Sequence, residues 1–406
     1  MAVTTPSAYA ARFDEQVATV VVETAARVDA FADRLQAAGL SPSELMDTVS
    51  LDRLPVLSKD DLFELQAARP PFGGLVADGT RPRRIFQSPG PLYEVDAGGS
   101  DPWRFAPALR AAGFGADDIV LNAFGYHLSP AGAMVEEAVF ALGATVVPAG
   151  VGSMDLQARA CRDLGVTAYV GLPSYLKALL ETAHELGLEP EQWALARAFV
   201  TAEPLTPSLR SWLEERVPVR QAYGTAECGC LGYECDEKDG LHVPDDALVQ
   251  VCDLTTGGAL WDGSEGEVVV TLFSPDRAIV RFGTGDLSAY LVEGCRCGRD
   301  TPRIAGWLGR VGEAVKVRGM FLHPRQAHAA LAGVEGLDSF RLVVERVDHR
   351  DVLRCEIRPV TNGDSDALVA SVRERIRSGL RFQAEVEVVP ELDPEAPPIV
   401  DLRTWE

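Results

Sequence analysis

Lysine is scarce in this chain: of its 38 basic residues only four are lysines, Lys59, Lys177, Lys238 and Lys316. Basic charge is outweighed altogether, since 60 acidic residues leave a formal net charge of −22. That sign argues against nucleic acid and anionic membrane surfaces as partners, because both require basic patches. It leaves room for a phosphorylated ligand held by backbone N–H groups, a few arginines or a metal. Long apolar runs are missing too. Stretches such as ARAFVTAEPL, from residue 196, fall well short of the roughly 20 residues that a membrane-spanning helix needs. The segment MAVTTPSAYAARFDEQ has no basic region followed by an apolar one, so secretion is not expected and a cytoplasmic location is. Eight cysteines in a chain of that kind do not make a disulfide framework. Most of them cluster between Cys228 and Cys297, which asks for a metal reading.

At 406 residues two domains are the default expectation. Residues 1–75 read as a helical lead-in, with apolar residues at helical spacing and Ser41 and Ser58 as caps. From about residue 84 short apolar runs alternate with amphipathic segments, and Gly113, Gly143, Gly165 and Gly187 each close a helix. This β–loop–α repetition over 84–220 predicts a mainly parallel sheet flanked by helices, with ligands at the carboxyl ends of the strands. Over 221–309 the style changes to short antiparallel strands and turns, so that 1–309 reads as one large domain. Residues 310–406 read as a small C-terminal α+β domain with two strands, a helix and a further strand. The fold class expected is therefore α/β, with an antiparallel portion and a small α+β appendage.

Four separated loops share one character, glycine beside an aromatic or carboxylate near a strand end. They are TAEP (201–204), AYGTAE (222–227), FGTGDL (282–287) and GRVGEAVKVRG (309–319). Singly, each is also what an ordinary glycine turn capped by Asp or Thr presents. In this order and at these separations they resemble the adenylate-forming ligases, and among them the phenylacetate–CoA ligase branch. NAFGYHLSPAG, LGATVVPAG, AYVGLPSYL and CRCGRDTPRI fit the same branch, so the resemblance runs strongly over 80–320 and more loosely beyond.

The resemblance implies roles. Tyr223 would stack on adenine and Gly224 would let the backbone approach the ligand, with Thr225 near phosphate and Glu227 near the Mg2+ of ATP. Ala202, Glu203 and Pro204 would form the adenine-edge loop, and Asp286 would accept both ribose hydroxyls. Ser88 and Gly90 are what remains of the phosphate loop. Arg310 and Lys316 would lie in the hinge about which the small domain swings. His127, with Gly125 and the Gly150–Gly152 loop, would border the acyl pocket; capping a helix is the plainer role for His127.

A metal site is argued separately. Cys235, His242, Cys295 and Cys297 give C-x6-H, a long gap, then C-x-C, and three thiolates with one imidazole satisfy a tetrahedral, structural Zn2+. Zinc-bearing members of the branch carry a similar constellation, including a Gly-Leu-His like Gly240-Leu241-His242. Cys228 or Cys230 is an alternative for one ligand, and buried thiols without metal are the bland reading.

Two departures from the family stand out. Its phosphate loop is rich in Ser, Thr and Gly, whereas FQSPGPLYE places Pro89 and Pro91 there, each removing an N–H donor. The family's C-terminal lysine has no counterpart: Glu395 holds its position, no lysine follows Lys316, and Arg403 is the nearest cationic substitute. In the hinge, Gly312-Glu313 replace the usual Asp. The expected function is an AMP-forming acid–thiol ligase that activates a small aromatic acid with ATP and passes the acyl group to CoA or another nucleophile. Its partners would be the acid and nucleotide, with a homodimer as the commonest assembly. Two alternatives stand beside it: a ligase-fold transferase or bond-forming biosynthetic enzyme that has lost adenylation, and a non-catalytic nucleotide- or acyl-CoA-binding paralogue.

Overall fold

The computed structural model describes residues 5–88, 91–96, 98–311, 315–318, 320–322, 324–347, 350–360, 365–393 and 396–404. The chain divides into two compact units, Met1–Leu205 with Leu209–Gly309, and Thr206–Ser208 with Arg310–Glu406. The sequence-level features that fall on residues 89–90, 312–314 and 394–395, namely Pro89, Gly90, Gly312, Glu313 and Glu395, lie outside the described residues.

In the larger unit the lead-in is helical, as its periodicity predicts, but broken into short pieces. It is clasped to the sheets by polar contacts over great sequence distances. The Tyr9 hydroxyl donates to the Pro244 carbonyl at 3.0 Å, and Arg34 donates to the Pro55 and Val280 carbonyls at 2.9 Å. Arg281, wholly buried, pairs with Asp52, and the Leu57 N–H donates to the Arg281 carbonyl at 2.8 Å. This strap ends in the helix Lys59–Ala68, whose start is set by Ser58 and Asp61 in a reciprocal capping box.

The first strands, β1 (Arg84–Gln87) and β2 (Tyr93–Asp96), form an antiparallel hairpin. Then follow β3 (Ile119–Asn122), β4 (Thr145–Pro148), β5 (Ala168–Gly171), β6 (Arg197–Val200) and β7 (Val219–Thr225). These five run parallel in the order β4-β3-β5-β6-β7. All four residues of β5 are buried, as expected of a strand covered on both faces. Helices Ala131–Ala141, Met154–Asp163 and Pro173–Glu185 connect β3 to β4, β4 to β5 and β5 to β6. Gly143, Gly165 and Gly187 follow them with φ of 75°, 63° and 66°, the left-handed turn that ends a helix.

Beyond β7 the same sheet continues with antiparallel partners, first β8 (Gly229–Tyr233) and β9 (Leu241–His242). A second, antiparallel sheet contains β10 (Ala247–Cys252), β11 (Gly266–Leu272) and β12 (Phe282–Ser288). The chain then returns through β13 (Tyr290–Leu291) and β14 (Arg303–Ile304) to complete the nine-stranded sheet beside β9. Both predicted styles are thus present, a parallel α/β core and an antiparallel portion.

The smaller unit is α+β. A long hairpin of Leu337–Val347 and Arg350–Pro359 is extended on its two edges by the parallel strands Ile399–Asp401 and Ala384–Val388. Helices Pro324–Leu331 and Ser365–Arg375 contribute to a core that includes Leu342, Val344, Cys355, Ile357 and Val372. The Arg403 side chain is 4% exposed and pairs with Asp351 at 3.0 Å and with Asp401 at 2.6 Å. It is therefore committed to carboxylates of its own unit, which corrects its reading as a stand-in for the absent lysine. Among the described residues no helix is long and apolar enough to cross a membrane.

Candidate active site and metal centre

β6 and β7 are neighbours, so the loops after them meet. Thr201 Oγ1 donates to the Ala222 carbonyl at 2.8 Å, tying TAEP to AYGTAE. Ala202 is held at φ +71°, an uncommon conformation for a residue with a Cβ, next to that tie. Glu203 turns to the start of the helix Pro173–Glu185, where its Oε1 accepts the Ser174 N–H at 2.6 Å, and Pro204 follows, half-buried. A carboxylate on exposed N–H groups at a helix start is a stabilising cap, and this fixes the loop.

The turn after β7 is built around close backbone approach. A Cβ on Gly224 would lie 2.5 Å from the Gly229 carbonyl oxygen, and one on Gly229, at φ +78°, 2.5 Å from that of Trp103. Only glycine fits either position. Thr225 Oγ1 accepts the Cys228 N–H at 3.2 Å. Two arginines grip consecutive carbonyls of this turn: Arg277 donates to Glu227 at 2.9 Å, and Arg104 donates to Cys228.

Glu227 is 3% exposed, and its Oε1 lies 3.2 Å from Lys59 Nζ. Burial is the largest influence and would raise its pKa; the Lys59 ammonium together with nearby hydrogen-bond donors brings the carboxyl below its usual range. Glu227 Oε2 is buried and receives no hydrogen bond among the described residues. On β2, Glu94 pairs with Arg277 at 2.5 Å, and burial pushes its carboxyl up to about 7 despite that partner. Lys59, Glu94 and Arg277 thus form a charged cluster with Glu227 that the sequence reading did not find.

Asp286, on β12 and 3% exposed, accepts two side-chain donors. The Tyr223 hydroxyl donates to Oδ2 at 2.9 Å and Trp307 Nε1–H donates to Oδ1 at 3.1 Å. Tyr223 and Asp286, from different sheets and 63 residues apart, are therefore direct neighbours. In the turn between β1 and β2, Ser88 is 4% exposed; its N–H donates to the Leu92 carbonyl at 2.8 Å. Its hydroxyl has no hydrogen-bond partner among the described residues. His127 is solvent-exposed after β3. Arg310 and Lys316 belong to the smaller unit, at the start of its Arg310–Glu406 segment and on the strand Val315–Val317.

The four metal-ligand candidates converge. The ligating atoms of Cys235, His242, Cys295 and Cys297 all lie within 4.8 Å of one another, and the group includes neither Cys228 nor Cys230, which are wholly buried in hydrophobic clusters. Cys235 follows β8, His242 lies on β9, and the two other cysteines sit between β13 and β14, so the cluster joins both ends of the antiparallel extension. Sγ of Cys235 and Cys295 are 3.6 Å apart, and Cys297 Sγ is 3.3 Å from His242 Nε2. The opposite ring nitrogen, Nδ1, lies 3.1 Å from the Thr301 carbonyl, which selects the tautomer with a lone pair on Nε2. Burial lowers the imidazolium pKa to about 4, so the ring is neutral near pH 7. Three thiols and a correctly oriented imidazole at this spacing fit Zn2+.

With this geometry in view, the relatives can be placed. The family model described as AMP-binding enzyme matches residues 104–272. A phenylacetate–coenzyme A ligase of Thermus thermophilus is 30% identical over 348 residues, covering 82% of this chain and 77% of its own. The chain belongs to the adenylate-forming ligases, in their phenylacetate–CoA ligase branch. A second such ligase, from Aromatoleum evansii, is 29% identical, covering 87% of this chain and 83% of its own. A solved structure of 2-hydroxyisobutyryl-CoA ligase with 2-HIB-AMP and CoA has the same fold at a TM-score of 0.89 and 24% identity, covering 97% of this chain and 89% of its own. This ligase is thus an acyl-CoA ligase-like, adenylate-forming enzyme, and its mainly parallel sheet with flanking helices is the family's.

Proposed function

We propose that this ligase activates a small aromatic carboxylic acid. The acid's carboxylate oxygen attacks the α-phosphorus of ATP, pyrophosphate departs, and a thiol, that of CoA, then displaces AMP from the acyl carbon. The observation that carries the nucleotide reading is the Tyr223–Asp286 contact at 2.9 Å, which brings a flat ring suited to a purine beside a carboxylate suited to a vicinal diol. Ala202, Glu203 and Pro204 line the adenine edge, Gly224 leaves room for backbone approach, and Ser88 and Thr225 offer hydroxyls to phosphate. Glu227 Oε2, buried with no donor among the described residues, suits Mg2+, which when bound neutralises phosphate charge. Cys235, His242, Cys295 and Cys297 hold a structural Zn2+ that leaves no open coordination position. Arg310 and Lys316 act from the hinge, and His127 and the Gly150–Gly152 loop border the acyl pocket. The aromatic acid is supported by the names of the phenylacetate–coenzyme A ligase relatives.

A second reading keeps the fold and loses adenylation, making the chain an acyl transferase or bond-forming enzyme. Pro91 at the hairpin and the commitment of Arg403 to Asp351 and Asp401 favour it. Pyrophosphate exchange with a panel of aryl acids separates the two. Exchange supports the first reading; AMP or acyl-adenylate binding without exchange supports the second, and absence of nucleotide binding by calorimetry sinks both.

A further inference from the structure

Trp307 belongs to none of the motifs that identify the family, yet it touches the residue proposed to bind ribose. It sits in the loop after β14, and backbone bonds pin that loop along β12 on both sides. The Ala305 N–H donates to the Ala289 carbonyl and the Leu308 N–H to the Leu287 carbonyl, each at 2.9 Å. Between these ties the indole Nε1–H reaches Asp286 Oδ1 at 3.1 Å while the Tyr223 hydroxyl holds Oδ2 at 2.9 Å. The two donors act on different oxygens, so together they fix both the position and the rotation of a carboxylate that is 3% exposed. A carboxylate whose two oxygens are each set by a fixed donor presents both of them in one defined plane.

Resting on the nucleotide reading above, we infer that Trp307 is a positioning residue for ribose. Its indole N–H sets the Asp286 carboxylate plane, and thereby the preference for a 2′,3′-diol over a deoxyribose. Without the indole N–H, Oδ1 loses a fixed donor, and the carboxylate can rotate about its own axis and misalign one acceptor. A ligand with both hydroxyls loses most from that rotation, and a ligand with one hydroxyl loses less.

The test is the affinity of AMP, 2′-deoxy-AMP and 3′-deoxy-AMP for the wild type and for Trp307→Phe, which keeps an aromatic ring and removes the donor. The wild type is expected to prefer AMP. The variant is expected to bind AMP roughly tenfold more weakly, the loss of one charge-assisted hydrogen bond, with the deoxy forms far less affected so that the preference narrows. An equal loss for all three ligands, or none, overturns the role of Trp307 and leaves the nucleotide reading standing. A wild type that binds none of them overturns that reading itself. Should Trp307→Phe fail to fold, the intact protein labelled with 15N at its indoles carries the same question. AMP should move one indole N–H resonance and 2′,3′-dideoxy-AMP should not; an AMP complex with every indole resonance unmoved overturns the proposal.

Discussion

Lys59 Nζ stands 3.2 Å from Glu227 Oε1, an ion pair between the first residue of a helix in the N-terminal strap and the turn after β7, with the carboxylate side chain 4% exposed. Burial opposes the charge on Glu227 and the ammonium restores it. Removing one partner of such a pair strands the other, typically at about 3–5 kcal/mol. Lys59→Met is therefore expected to lower unfolding stability at pH 7 by about that much in urea titrations, with Lys59→Arg recovering part of it. The sign of the pH dependence follows from a depressed folded-state pKa. The stabilisation is present above the ordinary Glu value of 4.5 and is lost as pH falls through the folded value. In Lys59→Met burial acts on Glu227 without that ammonium, so its folded value should rise and the stability deficit against the wild type should shrink as pH is lowered.

Glu94 should show the opposite sign. Burial raises its carboxyl to about 7, with Glu227 adding to the rise and Arg277 and Lys59 opposing it. Between the ordinary value of 4.5 and about 7 the folded chain holds a proton that the unfolded chain has released. Its contribution therefore falls by about 1.4 kcal/mol for each pH unit through that window. Glu94→Gln, which keeps the shape and removes the titration, should flatten stability against pH between those limits. An unchanged slope in denaturant titrations at closely spaced pH values would count against this assignment.

The turn after β7 tolerates no side chain. A Cβ on Gly224 falls 2.5 Å from the backbone oxygen of Gly229, which has no flexible end to yield. Gly224→Ala should cost about 1–3 kcal/mol through overpacking and weaken AMP binding, because Tyr223 and Glu227 flank the displaced backbone. Gly115→Ala, where an added Cβ meets nothing within 4 Å, should stay within about 0.5 kcal/mol of the parent. Calorimetric titration with AMP and thermal unfolding of both variants make the comparison.

What the sequence disclosed follows the range of the interactions involved. Helix ends at Gly143 and Gly165 and the cap at Ser58 are local and were legible, as was the alternation that builds β3 to β7. Tyr223, Gly224 and Asp286 were legible as motifs. Glu94, Arg277, Arg104 and Trp307 were not, because each reaches the site across a sequence separation that no periodicity encodes. Arg104 and the Cys228 carbonyl are 124 residues apart. Signals existed for Glu94 and for Lys59, which was missed as well: Lys59 is the first lysine of a lysine-poor chain, and Glu94 is a charge set into a strand where it becomes buried. Neither could be assigned a partner before the strap was seen to carry Lys59 to the β7 turn. Glu203 shows the converse. Its motif points to the adenine edge, but the orientation of its carboxylate toward Ser174 is tertiary.

The metal centre yields the last expectation. Cys235, Cys295, Cys297 and His242 converge with a lone pair of Nε2 facing the sulfurs, and burial pushes the Cys235 thiol up to about 12 when no cation is at hand. Zinc binding must displace that thiol proton, so affinity should fall as pH is lowered and the bound metal should contribute directly to folding stability. The purified chain is expected to carry one zinc equivalent by elemental analysis and to lose thermal stability when a strong chelator removes it. Cys295→Ser should lower metal content and unfolding temperature together. Cys161→Ser, in a separate hydrophobic cluster of the same unit, should lose stability through its buried hydroxyl while keeping its zinc. The pair of variants therefore separates the metal from mere core disruption: a Cys295→Ser protein with full zinc would move the fourth ligand elsewhere, and one that loses zinc with unchanged melting would make the centre dispensable to the fold.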